Sequence, residues 1–245
     1  MKLRLETEAK LYHLTTMQFI VPLLLAVVFG VASYLFSVTK SNNALAANSE
    51  PLNDPSLENI FQRMANALGV QYLRLNIYKI DAVNGLAAAN SQIYITQGFI
   101  KKYAGGEVTA TELASVVAHE LGHVALGHTR RRLIDFSGQN AMKTALSITL
   151  NRFIPFIGPW IANLAVTIVA ARMSRKDEFE ADAYATALMI KSGLGVRSQK
   201  DLLSKLDKIT GVDGGTPAWF LSHPKTRDRL RAIEKNELKW TGELS

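Results

Sequence analysis

The chain contains no cysteine, and this absence excludes several kinds of chemistry at once. Disulfide bonds, thiolate zinc sites, a cysteine nucleophile and a lipid-modified cysteine are all ruled out. Any metal ion bound by this protein must therefore be held by histidine and carboxylate side chains. The absence of cysteine also fits an extracytoplasmic location.

Motifs for nucleic-acid binding, internal repeats and low-complexity tracts are absent as well, so nucleic acid is not an expected partner. The 245 residues allow one sizeable domain with an appendage. The formal net charge is +7, to which basic runs at 130–132 and 227–231 contribute. Such runs are typical of solvated helix faces, and contact with anionic lipid headgroups is the alternative.

Charged side chains are missing from residues 17–38, whose core is strongly apolar. Because about 20 apolar residues span a bilayer as a helix, we expect a single transmembrane anchor here. A segment 1–16 precedes this anchor, and a linker, 39–55, rich in Ser, Asn, Ala and Pro, follows it. A signal peptide is the alternative because Ala44-Leu45-Ala46 resembles a cleavage site, although the apolar run exceeds the ~7–15 residues of a signal h-region.

Positive charges around the anchor predict its orientation. Lys2, Arg4 and Lys10 precede the apolar run, whereas only Lys40 follows it closely. The positive-inside rule then places the N-terminal segment in the cytoplasm and the rest of the chain outside, in the periplasm or at the cell surface. Membrane lipid is thus an expected partner, and a secreted protein is expected instead if the segment is cleaved.

Residues 56–245 are predicted to form a mostly helical α+β domain with a small antiparallel sheet. Apolar and polar residues alternate over 73–77, and strand signals recur at 86–89 and 92–96. Capping and stop signals predict further helices. Outside the motif helix described below, these helices cover about 56–68, 173–191, 198–211 and 224–238.

A second apolar region, 139–172, is interrupted by Pro155, Gly158 and Pro159. The interruption predicts two short helices, 139–151 and 160–172, each short for a bilayer span. If metal ligands lie on both sides of this insert, it must cross a membrane twice or not at all. We expect a helical hairpin packed on or beside the catalytic domain, and entry into the membrane is the alternative.

The most informative stretch is His119-Glu120-Leu121-Gly122-His123, a His-Glu-x-x-His pattern. A capping box at Thr109–Glu112 predicts that a helix begins just before it. Positions i and i+4 share a helix face, so His119 and His123 can present two imidazoles to one zinc ion. Glu120 lies beside them, placed to polarise a bound water, and the small Gly122 suits close helix packing.

A third ligand must come from elsewhere in the chain. Proteases that extend the motif need glycine at position 126 and histidine at position 129, where this chain has Leu126 and Thr129. A glutamate from a separate helix is the other source, and Glu178 with Asp182 supplies an i, i+4 pair. Glu178 is the candidate ligand, and Asp182 is the candidate acceptor for the outer N–H of a ligating imidazole.

Three alternatives concern the neighbouring residues. The acidic cluster can equally be an exposed helix start favoured by the helix dipole. Glu180 is a rival ligand, although its side chain should point about 160° away from that of Glu178. His128, five residues after His123, does not share the ligand face well and is predicted to be a surface or helix-end residue.

Together with Ser222-His223-Pro224, these motifs resemble the gluzincin peptidase family that contains HtpX, the CAAX prenyl endopeptidases and periplasmic protease-chaperones. The similarity covers about residues 56–240, and the segments 84–87 and 93–98 are similar to that family's strands. The sequence departs from the family pattern at 88–91, where a Pro-Gly-Gly-like turn is common. The shape of the neighbouring edge, along which substrate would bind, therefore stays open. The single N-terminal span resembles the extracytoplasmic members more than HtpX.

The resemblance implies an endopeptidase with one Zn2+ per chain, acting on polypeptides such as misfolded or membrane-associated proteins in quality control. Glu120 would move a proton from water to the leaving amine. The resemblance places His223 near the site, either as a donor to the oxyanion or as a block on the metal's open position. A helix-capping role for His223 is the alternative. Rival functions are a metal-stabilised chaperone or binding module and a membrane structural protein with an accidental motif.

Overall fold

The structure is a computed structural model that describes residues 27–132, 158–210 and 227–243, with the single positions 143, 147, 154 and 157. Residues 17–26 of the expected anchor, most of the first insert helix and also His223 lie outside the described residues. Among the described residues, no helix combines the length and apolar character needed to cross a bilayer.

The chain divides into two compact units, residues 1–40 with 132–167 and residues 41–131 with 168–245. In the first unit, the described apolar side chains are largely exposed, among them Phe29 at 74 % and Trp160 at 77 %. The second unit contains the sheet, the buried core and every described residue of the candidate site.

The first described helix, α1, covers residues 27–47 and is followed by strand β1, Ser49–Pro51. Both extend into the segment expected to be a linker. Between residues 39 and 50 there is neither glycine nor proline, so no backbone signal stops the helix before β1.

Helix α2, Pro55–Leu68, confirms the prediction from the capping signals. The Asp54 side chain accepts a hydrogen bond from the Ser56 backbone N–H, and proline occupies the first helical turn. Gly69 ends the helix in the left-handed conformation, with φ of 73°.

A four-stranded sheet has the order β1-β2-β4-β3, with β2 at Leu75–Tyr78, β3 at Gly85–Ala87 and β4 at Ile93–Thr96. β1 and β2 are antiparallel, β3 and β4 are antiparallel, but β2 and β4 are parallel. The predicted antiparallel sheet is therefore wrong, and the sheet is mixed. Alternation of apolar residues identifies strands but not their direction, which here follows from β3 lying at the outer edge while β4 pairs with both neighbours.

Helix α4, Ala110–Ala125, is the central element of the second unit and follows α3, Gln97–Ala104. The predicted capping box at its start is confirmed, with the Thr109 and Glu112 side chains each bonded to the other's backbone N–H. Its apolar residues are buried in one core with residues from α2, α3, β2, β4 and the later helices. The helix is therefore fixed on several sides.

Further helices follow α4 in the part of the chain that the structure describes. Residues 128–132 begin α5, and α6, α7 and α8 cover Gly158–Lys191, Arg197–Thr210 and Arg227–Thr241. The predicted boundary between an insert helix ending at 172 and a helix beginning at 173 is wrong, because α6 is one helix of 34 residues. Neither glycine nor proline occurs between residues 160 and 191, so the change from apolar to charged residues does not interrupt the backbone.

Candidate metal centre

Three buried side chains from two helices meet in the second unit. His119 and His123 lie on α4, Glu178 lies on α6, and their ligand atoms form one group. The Nε2 atoms of the two histidines are 3.1 Å apart, and each lies 3.4 Å from a carboxylate oxygen of Glu178. A metal held tetrahedrally by bonds of about 2.0–2.1 Å keeps its ligand atoms about 3.3 Å apart. The two imidazoles and the Glu178 carboxylate are thus spaced so that they could hold a single ion.

Gly122 explains how the two helices come close enough to form this group. A Cβ atom at Gly122 would lie 3.0 Å from the Ala181 backbone and 3.2 Å from the Tyr184 Cβ atom. Contacts this short require a neighbour to shift, so the absence of a side chain permits the close approach of α4 and α6. Gly122 therefore contributes to the site through packing, as the sequence indicated.

Glu120 is buried on α4, next to the two histidines and beneath strand β3. A Cβ atom at Gly85, in β3, would lie 2.7 Å from the Val116 Cγ1 atom and 3.3 Å from Glu120 Oε1. Glycine is thus required for the strand backbone to pass this closely over the helix. The result is a carboxylate located between the candidate metal ligands and the edge strand of the sheet.

Asp182 contacts the outer nitrogen of the first histidine, as its i, i+4 spacing from Glu178 indicated. His119 Nδ1 lies 3.0 Å from Asp182 Oδ1. If Nδ1 donates its proton to this carboxylate, the Nε2 lone pair faces Glu178 and His123, which is the form needed for metal binding.

Arg229, on α8, holds the two acidic residues of α6 in place and is itself only 2 % exposed. Its Nε and Nη2 atoms donate to the Asp182 carboxylate at 2.6 and 2.8 Å. Its Nη1 atom lies 3.3 Å from Glu178 Oε2. Burial alone would raise the pKa of Asp182, but the charge and hydrogen bonds of Arg229 outweigh burial and lower that pKa.

The pKa values of the two histidines on this helix face are shifted in opposite directions. Burial pulls the pKa of His119 down, but the hydrogen bonds and charges of Asp182 and Glu178 raise it to about 9. Burial dominates at His123 and lowers its pKa to about 4, with only partial compensation from Glu178. His123 is therefore neutral at pH 7, the form that ligates a metal, whereas the carboxylates around His119 favour its protonated ring as long as no metal takes the place of that proton.

Comparison with known families decides the identity of this fold. The model of peptidase family M48 matches residues 51–237, which is most of the chain. This protein belongs to peptidase family M48. The predicted resemblance is thereby confirmed.

Relatives of this M48 peptidase include two proteins from Escherichia coli. Metalloprotease LoiP is 28 % identical over 187 residues, covering 76 % of this chain and 71 % of the relative. Metalloprotease YcaL is 27 % identical over 194 residues, covering 79 % and 73 %. Protease HtpX from Pseudomonas fluorescens is 22 % identical over an alignment of 255 residues, covering 87 % and 85 %. The M48 peptidase is therefore a metallopeptidase acting on polypeptides, and its buried His-His-Glu group can bind one metal ion.

His128 is placed only partly as the sequence predicted. It is fully buried, and its Nδ1 atom lies 2.9 Å from His123 Nδ1. Of the two predicted positions, at the surface or at a helix end, the surface is wrong because His128 is buried, whereas the helix end is confirmed because His128 lies just after α4 and begins α5. Helix α4 ends at residue 125, Gly127 adopts φ of 69°, and the chain turns so that His128 faces back toward His123.

Glu180 is separated from the three ligand atoms, as its angular position on the helix predicted. Its Oε2 atom lies 3.1 Å from His128 Nε2, and Lys176 lies 3.3 Å from its other oxygen. Among the described residues, Glu178 alone of the two rivals joins the histidine pair.

Two residues of the M48 site, Arg229 and His128, were missed by sequence reasoning. Arg229 belongs to a basic run that was interpreted as a solvated face. The available signal was the four-residue spacing of Arg229, Ile233 and Glu237, all buried on one side of α8. For His128, the signal was the glycine immediately before it, which favours a helix end.

Proposed function

We propose that this M48 peptidase is a zinc-dependent endopeptidase in which His119, His123 and Glu178 hold one Zn2+ and Glu120 is the general base. The observation that supports this most strongly is that the two Nε2 atoms lie 3.1 Å apart and that each lies 3.4 Å from one of the two carboxylate oxygens of Glu178. Two imidazoles and one carboxylate are a common ligand set for catalytic zinc, which keeps its remaining position for water or substrate.

When bound, zinc supplies a Lewis acid that polarises a peptide carbonyl and makes water easier to deprotonate. The Glu120 carboxylate takes a proton from the attacking water while the new C–O bond forms. It then delivers this proton to the amine nitrogen as the C–N bond breaks, which yields a carboxyl and an amino terminus. Asp182 orients the His119 ring throughout, and the Arg229 guanidinium holds Asp182.

The edge strand β3 supports an extended polypeptide as the substrate. Asn84 O and Ala88 N bond toward β4, so by alternation the backbone groups of Gly85 and Ala87 point to the other side. Among the described strands, none pairs with that side. A substrate segment that adds to this edge lies next to Glu120, because Glu120 is located beneath Gly85. Thr129 Oγ1 donates to Ala87 O at 3.2 Å and so occupies the acceptor at one end of the strand.

This mode of binding requires an unfolded segment, because a backbone already paired in another protein's sheet cannot pair again. Misfolded or membrane-associated proteins supply such segments, so we place the enzyme in protein quality control. His223 belongs to the same proposal as a donor to the developing oxyanion. The proposal rests on the resemblance of Ser222-His223-Pro224 to the family motif, six positions before Arg229 in the sequence.

Residues 17–38 are proposed to anchor the enzyme in a membrane, with 1–16 in the cytoplasm and the catalytic domain, 56–245, outside. The support is the uncharged apolar run, together with the exposed apolar side chains between residues 27 and 36. Carbonate extraction of membranes, followed by protease treatment of intact cells, tests this placement. Release of the full-length chain into the soluble fraction would contradict it.

Substitution of Glu120→Gln tests the proposed mechanism, because it removes the base but none of the ligands. We expect one zinc per chain in both proteins and a decrease in kcat of about 10²–10⁴-fold on an unfolded protein substrate. Metal content is measured by mass spectrometry, and cleavage by the appearance of new amino termini. Equal cleavage by the variant would show the mechanism to be wrong. Binding of unfolded protein without cleavage by the wild type would support a chaperone or binding module instead.

A further inference from the structure

We infer that His128 and Glu180 are positioning residues that fix the ring tautomer of His123 for metal binding. The inference rests on the proposed zinc site but concerns two residues outside the ligand set. It assigns a role to a contact between imidazoles and to a carboxylate that the proposed reaction does not otherwise use.

A continuous hydrogen-bonded row runs from the ligand to the surface. His123 Nδ1 and His128 Nδ1 are 2.9 Å apart, with the ring planes inclined at 68°. His128 Nε2 lies 3.1 Å from Glu180 Oε2. His128 is fully buried, whereas the Glu180 side chain is 37 % exposed, so the row ends in a carboxylate that reaches solvent.

Only one placement of protons satisfies every contact in this row. His123 must leave its Nε2 lone pair free for the metal, so its ring proton is on Nδ1. His128 must then accept that hydrogen bond through its own Nδ1 lone pair. Its proton is consequently on Nε2, from which it donates to Glu180. The carboxylate at the end thus selects the tautomer of both rings.

A second metal site is the alternative for this cluster, because His128, Asp177 and Glu180 present donor atoms within 4.8 Å of one another. Their charges are already compensated by side chains. Arg131 is paired with Asp177, and Lys176 lies 3.3 Å from Glu180. His128 also directs Nδ1 at His123 and not at the carboxylates. The contacts therefore favour an orienting row over a second ion.

Zinc affinity and the ring tautomer of His123 together test the inference. Affinity is measured by competition with a chromophoric chelator, and the tautomer by the ¹⁵N shifts of the imidazole nitrogens in the zinc-free protein. For His128→Leu we expect affinity about 10–100-fold below wild type and loss of the Nδ1-protonated form of His123 as the dominant tautomer. For His128→Asn, whose amide oxygen replaces the Nδ1 acceptor, we expect most of the affinity to return.

Glu180→Ala provides an independent variant at a partly exposed position, and we expect a smaller loss of affinity in the same direction. Its matched control is Asp201→Ala, which removes another helical acid from an exposed i, i+4 pair, with Arg197 at 3.6 Å. The control should bind zinc as wild type does. If His128→Leu does not fold, as judged by near-UV circular dichroism, Glu180→Ala and His128→Asn decide the outcome.

The possible failures are distinguishable. If wild type binds no zinc, the proposed function fails together with the inference. If wild type binds one zinc but Glu180→Ala and the folded His128 variants match Asp201→Ala in affinity and tautomer, the inference alone is overturned. Two zinc ions per chain, with one lost in Glu180→Ala, would overturn it in favour of a second metal site.

Discussion

The two histidines of the motif lie one helical turn apart, yet their outer nitrogens meet different surroundings. His119 contacts Asp182 directly, and Asp182 is held by a buried arginine. His123 contacts a second imidazole, His128, which leads to the partly exposed Glu180. The pKa of His119 is accordingly raised to about 9, and that of His123 is lowered to about 4. Two positions that are equivalent in the motif thus acquire different properties from the residues packed behind them.

Removing the buried arginine should break this comparison most strongly. Arg229→Leu leaves Asp182 and Glu178 buried without their counter-charge, and removal of one partner of a buried ion pair costs about 3–5 kcal/mol. We expect a loss of this size in the free energy of unfolding, measured in urea with a chelator present. Zinc affinity should fall as well, because both α6 carboxylates lose their partner.

Arg231→Leu is the control for that experiment, since it lies on the same helix but its side chain is 77 % exposed and pairs with the exposed Asp228 at 3.6 Å. The change in its unfolding free energy should stay within about 0.5 kcal/mol. An equal effect of the two substitutions would mean that the buried pair does not stabilise the site.

Neutralising the carboxylate behind each histidine, Asp182 behind His119 and Glu180 behind His123 and His128, sharpens the comparison. Asp182→Asn leaves the Arg229 guanidinium buried without its closest carboxylate, whereas Glu180→Gln removes a charge that solvent partly screens. We expect Asp182→Asn to destabilise the protein by about 2 kcal/mol or more relative to Glu180→Gln, whose own effect should be below about 1 kcal/mol. Urea unfolding of the metal-free variants measures the difference, and similar values would contradict the assignment of separate environments.

A substitution between α4 and α6 should affect the surroundings of both histidines together. Its effect on the free energy of unfolding should be smaller. In Gly122→Ala the new Cβ atom would lie 3.0 Å from the Ala181 backbone and force α4 and α6 apart. Overpacking of this kind costs about 1–3 kcal/mol, and zinc affinity should fall because Glu178 moves with α6. Gly30→Ala, at a helical position with no heavy atom within 4 Å of the added Cβ, is the matched control. Unchanged zinc affinity in Gly122→Ala would contradict the packing role of this glycine.

Much of this M48 peptidase was predictable from local patterns. The helix of the His-Glu-x-x-His motif, its capping box and the position of Glu178 on a second helix follow from spacing and propensity, and the structure confirms each of them. The mixed pairing of the sheet and the continuity of α6 did not follow. The direction of a strand depends on the connections between strands. Hydropathy indicates whether a helix faces water or apolar surroundings, but it does not show where the helix ends.

The residues behind the ligands mark the limit of sequence reasoning. The i, i+4 rule located Asp182, because a single helix fixes its position relative to Glu178. Arg229 comes from a helix 47 positions later, and His128 follows a turn that ends the regular geometry of α4. In both cases a charged or polar side chain looked solvent-exposed, since its burial depends on a partner that is distant in sequence or beyond a helix end.

The sequence by itself therefore determined the candidate metal-binding group: no thiolate, two imidazoles on one helix face, and a carboxylate from a second helix. Periodicity on a helix is a local property, so it can be read from spacing alone. Only the tertiary structure decided how each imidazole is oriented and charged. Those properties arise from desolvation and from contacts across α4, α6 and α8, which exist only after the chain has folded.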